Sequence, residues 1–579
     1  MALALGEYTL ALDGSGLPDK ALIGGKAWSV ARMSALGLRA PLAFVITTRA
    51  CAHFLASGVE PGSLAAEIDA GVAWLESRTG RTFGAGPRPL LVSVRSGAPI
   101  SMPGMMDTVL NLGISDGVEA ELAADFGDAG FARDTHRRFL ELYAHIVLKG
   151  ELEIDAAGDP AQWRGAIERE TGQGVPTDVR VQLRSAIRAV FESWNSRRAR
   201  RYREHHGISH ELGTAVAVQA MVFGNEGDRS GTGVVFSRNP LSGFPEAYGE
   251  YLGGAQGEDI VSGKHTPKPL AAMRETMPEV HDELLAAART LERESRDAQD
   301  IEFTVQGGEL YLLQTRAAKR SPRAAVRMAV DMVAEGMIDA AEALSRVSSE
   351  QIRILLSPQL AAGSVDQVVP VLTGEAASPG VGVGAVVMDS DEAERRAKLG
   401  EAVVLARATT SPNDLHGMIA ACAILTEHGG STSHAAVVGR ALGRPCVVGC
   451  GEGALAQLEG KIVTVDGQTG MIYPGALPVV TPSETDDAAL RQLSAWASER
   501  SSIIVTALPT GGDVIDFDKN VEGASALFAA LPRGAVVSGA LFANDPNAVR
   551  SAMAAGVSTI ITQPVLPALL VAAERLGEA

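Results

Sequence analysis

The stretch Leu425 to Gly443, LTEHGGSTSHAAVVGRALG, decides how the rest of the chain is read. Two glycines and three hydroxyl residues, Ser431, Thr432 and Ser433, stand directly before His434. Good helix formers run from Ala435 to Leu442, Gly443 follows, and Pro445 lies just beyond. The spacing predicts a helix with a hydroxyl N-cap and a glycine C-cap, with His434 in or beside its first turn. There the backbone N–H groups lack intrahelical partners and the positive end of the helix dipole faces outward. An imidazole so placed can carry a phosphoryl group, because the features that bind phosphate also steady phosphohistidine. A capped helix whose histidine only packs is the alternative that the local pattern leaves open.

The 579 residues exceed one domain, and three or four are expected. Apolar residues make up 46%, so each domain can bury a core. The formal charge of −18, from 51 basic and 69 acidic residues, argues against nucleic acid or an anionic membrane as partner. A nucleotide substrate would have its phosphates held by a local cluster and Mg²⁺, not by the overall field. No window reaches the apolar length of a membrane span, and the opening MALALGEYTLALDGSG lacks a basic leader region, so a cytoplasmic protein is expected. Cys51, Cys422, Cys446 and Cys450 form no zinc or disulfide framework. Cys446 and Cys450 flank a predicted strand and read as core thiols.

Ahead of the histidine, the chain offers a second set of polar residues. Ile23-Gly24-Gly25-Lys26 opens a helix expected over Ala27 to Leu36; glycines before a lysine there suit phosphate contact, and a solvated lysine is the alternative. LLVSVRSGA from Leu90 reads as a buried strand ending in Arg95, whose charge needs a partner. The following loop, SMPGMMDTVLNLG, carries Asp107 and Thr108. Residues 115–212 read as a helical insert in which Arg197 to His206 form a solvated basic face. AVAVQAMVFGN reads as strand and hinge, GTGVVFSRNP as a second strand, and GEYLGGAQGEDIVSG holds Glu250, Gln256, Glu258 and Asp259.

DIEFTVQGGELYLLQTR predicts a hairpin turning at Gly307-Gly308. On its first strand Asp300 and Glu302 share a face by period two, and on its second Gln314 and Arg316 do. Two acids, an amide and an arginine are costly to bury without a ligand. Mg²⁺ on a carboxylate and a carbonyl oxygen, with phosphate on the arginine, accounts for all four. Amphipathic helices, strands and helices around His434, and a final stretch of helix–strand alternation complete the chain.

Together GGKAWSVARM, SVRSGAPISMPGMMDTVLNLG, VAVQAMVFGN, SGTGVVFSRNP, GEYLGGAQGEDIVSG, DIEFTVQGGELYLLQTR and TEHGGSTSHAAVVGRALGRPCVVGC resemble the pyruvate phosphate dikinase and phosphoenolpyruvate synthase family, the MPGMMDTVLNLG loop favouring the dikinase branch. The motifs fall in family order across residues 10–475. The resemblance implies a multidomain α/β and α+β architecture. Residues 1–320 would form a two-lobed ATP-grasp nucleotide domain, 321–365 a helical linker and 366–475 a swivelling phosphohistidine domain. Residues 476–488 would be a second linker, and 489–579 a short α/β domain, part of which resembles the opening of the family's phosphoenolpyruvate/pyruvate barrel. That barrel's catalytic groups have no counterpart among these residues.

By the same resemblance His434 is the phosphoryl carrier. Lys26, Arg95 and Arg316 would neutralise the ATP phosphates, with Arg95 also catalytic. Glu302 and Gln314 would hold Mg²⁺. The hinge from Gln219 to Val222 would take adenine, Asp300 would support the site, and Asp107, Thr108 and Glu258 complete the nucleotide contacts. Histidine attacks the β-phosphoryl of ATP, AMP leaves, and orthophosphate or water takes the terminal phosphoryl. The remaining phosphoryl passes to an unidentified small-molecule acceptor or to a partner subunit. A neutral imidazole is required. A homo-oligomer, a dimer, is implied. Thr432 matches a regulatory phosphorylation position of the plant enzymes. A phosphocarrier or regulatory subunit, and an inactive scaffold, are the other classes; intact Lys26, Arg95, Glu302, Gln314, Arg316 and His434 argue against the last. Departures from the pattern fall at His265, at Thr409 in place of glutamate, and in TEHGGS.

Overall fold

The hairpin forms where the alternation put it. Gln299–Gln306 and Glu309–Ala317 pair antiparallel around Gly307 and Gly308, whose φ values of 58° and 87° make a left-handed two-residue turn that glycine takes without strain. The computed structural model describes residues 3–100, 102, 106–261, 266–356, 359–361, 363–365, 368–378, 380–442, 444–480, 482–508, 513–517, 528–539 and 541–574. His265 lies outside them.

The hairpin belongs to a five-stranded antiparallel sheet in the order Lys268–Pro269, Tyr248–Gly253, Gly231–Phe236, Gln299–Gln306, Glu309–Ala317. Its second strand is therefore an edge of the sheet. The helix Lys20–Ala35 covers that edge: Thr315 N–H donates to Ser29 Oγ at 3.1 Å, and Ile23, Ala27 and Val30 pack with Ile301, Phe303 and Leu312. The amphipathic helix Pro278–Ser295 buries Val280, Leu284 and Leu291 in the same core.

A second antiparallel sheet runs Thr9–Ala11, Ala43–Ile46, Ala215–Ala220, Val92–Gly97, Thr108–Leu112. The expected helical insert packs beside it as Asp116–Phe126, Ala129–Ile146, Pro160–Thr171, Val179–Ser193 and Arg197–His205.

Residues 372–474 hold an eight-stranded mixed sheet. Four strands, Val381–Val387, Val403–Arg407, Ala423–Thr426 and Cys446–Val448, run parallel in that order. Strands so arranged are covered by helices on their faces, which explains their unbroken apolar sequences. The helix His434–Leu442 follows the third of these strands and begins at the predicted residue; Gly443, its expected C-cap, lies outside the described residues.

The connecting helices Pro322–Ala334 and Ser349–Leu355 share one core with Ala488–Arg500 and Leu566–Ala573. Residues 476–488, expected as plain linker, contain Val479–Val480, which pairs antiparallel with Gln359–Leu360. The C-terminal sheet is parallel throughout, in the order Ile504–Thr506, Thr559–Ile561, Val536–Ser538, Val514–Asp516. Among the described residues no helix is long and apolar enough to cross a membrane.

Candidate functional site

Lys26 reaches its place because the chain before it bends sharply. Gly24 interrupts the helix Lys20–Ala35 with φ 73° and ψ 165°, and a Cβ there would sit 1.7 Å from the carbonyl oxygen of Gly97. Only glycine allows that approach. The helix thus begins earlier than its spacing suggests, and kinks at the glycines. Gly25 N–H donates to Ala98 O at 2.9 Å, clamping this turn to the end of the strand that carries Arg95.

Arg95 Nη1 donates to Gln219 Oε1 at 3.1 Å, and its Nη2 lies 3.4 Å from Gln314 Oε1 and 3.5 Å from Glu302 Oε2. Arg316 donates to Asp300 at 2.7 Å and sits 3.9 Å from Glu302. The hairpin register pairs Asp300 with Arg316 and Glu302 with Gln314, so all four share one face, as period two requires. Burial, and then the Arg95 charge, push the Lys26 ammonium down to about 7, with Glu302 opposing. Asp300 beside Arg316 holds that guanidinium firmly charged. Two guanidiniums against two carboxylates nearly balance, and the Lys26 ammonium adds positive charge when an anion favours its protonated form.

Beside this cluster lies a cavity of about 290 Å³. Arg95, Thr108, Gln219, Val222, Glu258 and Glu302 line it, along with apolar Leu142, Ile260 and Leu313. Gln256 Nε2 and Glu258 Oε2 are buried there without a hydrogen-bond partner among the described residues, and burial raises the Glu258 carboxyl against the pull of Arg138. Orphaned polar atoms in an apolar pocket suit a ligand with both ring faces and polar edges. Gln219 is less available than expected, since its amide also donates to Pro41 O at 3.3 Å. Asp107 is ion-paired with Arg198, so the basic run is not wholly a solvated face.

His434 opens its helix half-buried. Burial pushes its imidazole down to about 4, opposed by Asp414 and assisted by Lys319. Its Nδ1 lies 3.2 Å from Thr410 Oγ1. Ser433 Oγ is buried beside it with no hydrogen-bond partner among the described residues. In the loop before it, Ser431 N–H and Oγ donate to Glu250 Oε1 at 3.1 and 2.9 Å, and Thr432 Oγ1 donates to Glu250 Oε2 at 2.7 Å. Gly430 lets Glu250 come close: a Cβ there would meet Glu250 Oε1 at 2.6 Å. Glu427, one departure from the family pattern, turns to the Leu455 N–H at 3.3 Å, and Thr409 is exposed.

Glu250 ties the histidine loop to the five-stranded sheet of the hairpin in register. Gln314 pairs with Glu302, Glu302 with Val234, and Val234 with Glu250. These four form one row on one face, so Glu250 lies two strands, about 10 Å, from Glu302.

Two contacts escaped the sequence. Thr410 carries no periodicity signal that points at His434. Arg138, which meets Glu258 at 3.1 Å and Asp259 at 2.8 Å, is one charge among many on an amphipathic helix. Among the described residues no cluster of three or more His, Cys, Asp or Glu side chains could hold a metal. A Glu302–Gln314 pair does offer two oxygens, which suits Mg²⁺ whose other ligands are phosphate and water.

Two family models match: "Pyruvate phosphate dikinase, AMP/ATP-binding domain" over residues 57–284 and "PEP-utilising enzyme, mobile domain" over residues 399–470. The chain is pyruvate phosphate dikinase-like. It is 41% identical to pyruvate, phosphate dikinase 2 of Zea mays over 524 residues, 84% of this chain and 59% of that protein. Pyruvate, phosphate dikinase of Rhizobium meliloti (strain 1021) is 41% identical over 533 residues, with the same coverage. The chloroplastic Zea mays enzyme 1 is 42% identical over 524 residues, 84% of this chain and 55% of that protein. The chain thus spans under two thirds of the length of these relatives.

Proposed function

We propose that the chain is an ATP-dependent dikinase-type phosphotransferase. An ATP-grasp domain, roughly residues 1–320, loads His434, which a swivelling domain of roughly residues 366–475 then carries away. The row Gln314–Glu302–Val234–Glu250 carries this reading, because it sets the histidine loop on the same sheet face as the cation and carboxylate cluster.

Lys26, Arg95 and Arg316 neutralise the phosphates of ATP, and Asp300 keeps Arg316 aligned. Glu302 and Gln314 would hold Mg²⁺, which when bound offsets phosphate charge. Adenine and ribose occupy the cavity along Val222, Glu258 and Thr108, with the Gln219 to Val222 strand end at the base edge. Catalysis is positioning and charge neutralisation more than covalent assistance. A half-buried imidazole that stays neutral presents a lone pair at ordinary pH. The β-phosphoryl moves to it, AMP leaves, and orthophosphate or water takes the terminal group. The phosphoryl left on His434 passes to a small-molecule acceptor or a partner subunit bound away from the nucleotide cavity.

Brief incubation with Mg-ATP and mass spectrometry test the reading. Label is expected on His434, with AMP released in step, and none on a His434→Ala variant. Label retained by that variant would reject the assignment.

A further inference from the structure

The loop after Val403–Arg407 brings one uncharged hydroxyl to the carrier ring. Thr410 Oγ1 is 3.2 Å from His434 Nδ1 and is half-buried. Its position is fixed on both sides. Glu427 N–H donates to Arg407 O at 3.1 Å and His428 N–H to Ala408 O at 3.0 Å, stitching this loop to the one that carries the histidine. Immediately after Thr410, Ser411 is locked to Asp414: its N–H and Oγ donate to Asp414 Oδ2 at 2.8 and 3.1 Å. Buried Asp414 is held in turn by Ser390 Oγ at 2.8 Å. Asp414 therefore spends its oxygens on the turn, and the group at the ring edge is a hydroxyl.

We propose that Thr410 is a positioning residue for His434: its hydroxyl fixes the ring by the Nδ1 edge, presents the Nε2 lone pair to phosphorus, and reverses its own hydrogen bond once the group is on the ring. This rests on the phosphotransferase reading above. A neutral imidazole has one N–H and one lone pair, and the partner of one nitrogen selects the tautomer. With Nδ1–H donating to Thr410 Oγ1, Nε2 is left as the nucleophile. In the opposite arrangement the hydroxyl caps the Nδ1 lone pair and Nε2 bears the proton, which cannot attack.

During transfer the N–P bond forms at Nε2, and the bond from that phosphorus to the leaving oxygen breaks. The electron pair departs with AMP. The ring becomes a phosphoimidazolium whose Nδ1–H still has Thr410 as acceptor. Loss of that proton to water leaves a neutral phosphoimidazole with a lone pair on Nδ1. The Thr410 O–H then rotates and donates to it. A carboxylate in this position could only accept, so it would keep the ring protonated, the form in which imidazole leaves phosphorus most readily. A hydroxyl serves both states.

The test uses the full chain with ¹⁵N-labelled histidine and the variants Thr410→Val and Thr410→Ser, the His434 signals being assigned by their loss in His434→Gln. In the resting protein His434 is expected as the Nδ1–H tautomer, kept in Thr410→Ser and shifted toward Nε2–H in Thr410→Val. The labelling rate from Mg-ATP should fall about tenfold in Thr410→Val at an unchanged KM for ATP, and recover in Thr410→Ser. Its phosphohistidine should also decay faster at mildly acid pH. An Nε2–H tautomer in the wild-type protein would overturn the proposal. So would a Thr410→Val variant unchanged in both tautomer and rate. If the wild-type protein takes no label, the phosphotransferase reading fails, while the resting tautomer still decides the role of Thr410. If Thr410→Val does not fold, the wild-type and Thr410→Ser tautomers decide it.

Discussion

Glu250 accepts a hydrogen bond from the Thr432 hydroxyl at 2.7 Å across 182 residues of sequence, and both groups are buried. One carboxylate on the sheet of the hairpin thus satisfies three donors of the histidine loop. Replacing it by alanine would strand those donors at a cost of about 1–3 kcal/mol. Glu250→Ala is therefore expected to slow His434 labelling by about tenfold or more, with little change in the thermal midpoint, since the contact joins units that each have their own core. Rapid-quench labelling and a melt measure the two effects. An unchanged labelling rate would remove Glu250 from the docking contact.

The same contact bears on Thr432. In this arrangement its hydroxyl is bonded to Glu250 and shielded, so a modifying enzyme could reach it only with the loop lifted off. A phosphate there would face the Glu250 carboxylate and the phosphate on His434 at once. Thr432→Glu is expected to abolish AMP release from ATP. A variant releasing AMP at the wild-type rate would contradict this.

Much of this site was legible because its residues sit on regular elements. The period-two hairpin put Asp300, Glu302, Gln314 and Arg316 on one face, and the register agrees. The hydroxyl run before a helix-forming stretch put His434 in a first turn, and the helix begins there. What stayed hidden depends on separation along the chain. No local pattern says that Glu250 meets a loop 182 residues on, or that Thr410 reaches a ring 24 residues away. The hairpin's edge position has no local signal for a related reason: Leu310 and Leu312 are buried by the helix Lys20–Ala35, not by another strand.

His434 is expected to stay neutral well below the ordinary histidine range, because burial and Lys319 hold it down to about 4. The unfolded chain then binds a proton between about pH 6.5 and 4 that the folded state refuses, so this group makes stability rise with pH across that window. A ¹⁵N titration of the resting protein should find no His434 protonation at pH 6. A midpoint near 6.5 would refute it.

Lys26 should respond to ATP through its proton. Burial and Arg95 push its ammonium down to about 7 in the protein without nucleotide, against about 10.4 for a free lysine. Between those values the unfolded state carries a proton that the folded state has lost. This group therefore makes stability rise as pH goes from 7 toward 10, and its penalty is greatest below 7, where the charge is forced into the buried site. Phosphate reverses the balance. An anion beside Lys26 favours the charged form, so nucleotide binding should draw in a proton at pH 8. Calorimetric titrations with ATP in buffers of different ionisation enthalpy measure that uptake. A proton uptake is expected at pH 8, smaller at pH 6 and largely lost in Lys26→Met, which keeps the apolar stem without the ammonium. ATP itself and other groups contribute equally to both proteins, so the difference between them isolates Lys26. Equal uptake in the two would mean that Lys26 is already charged in the free site, and that burial has not cost it the proton.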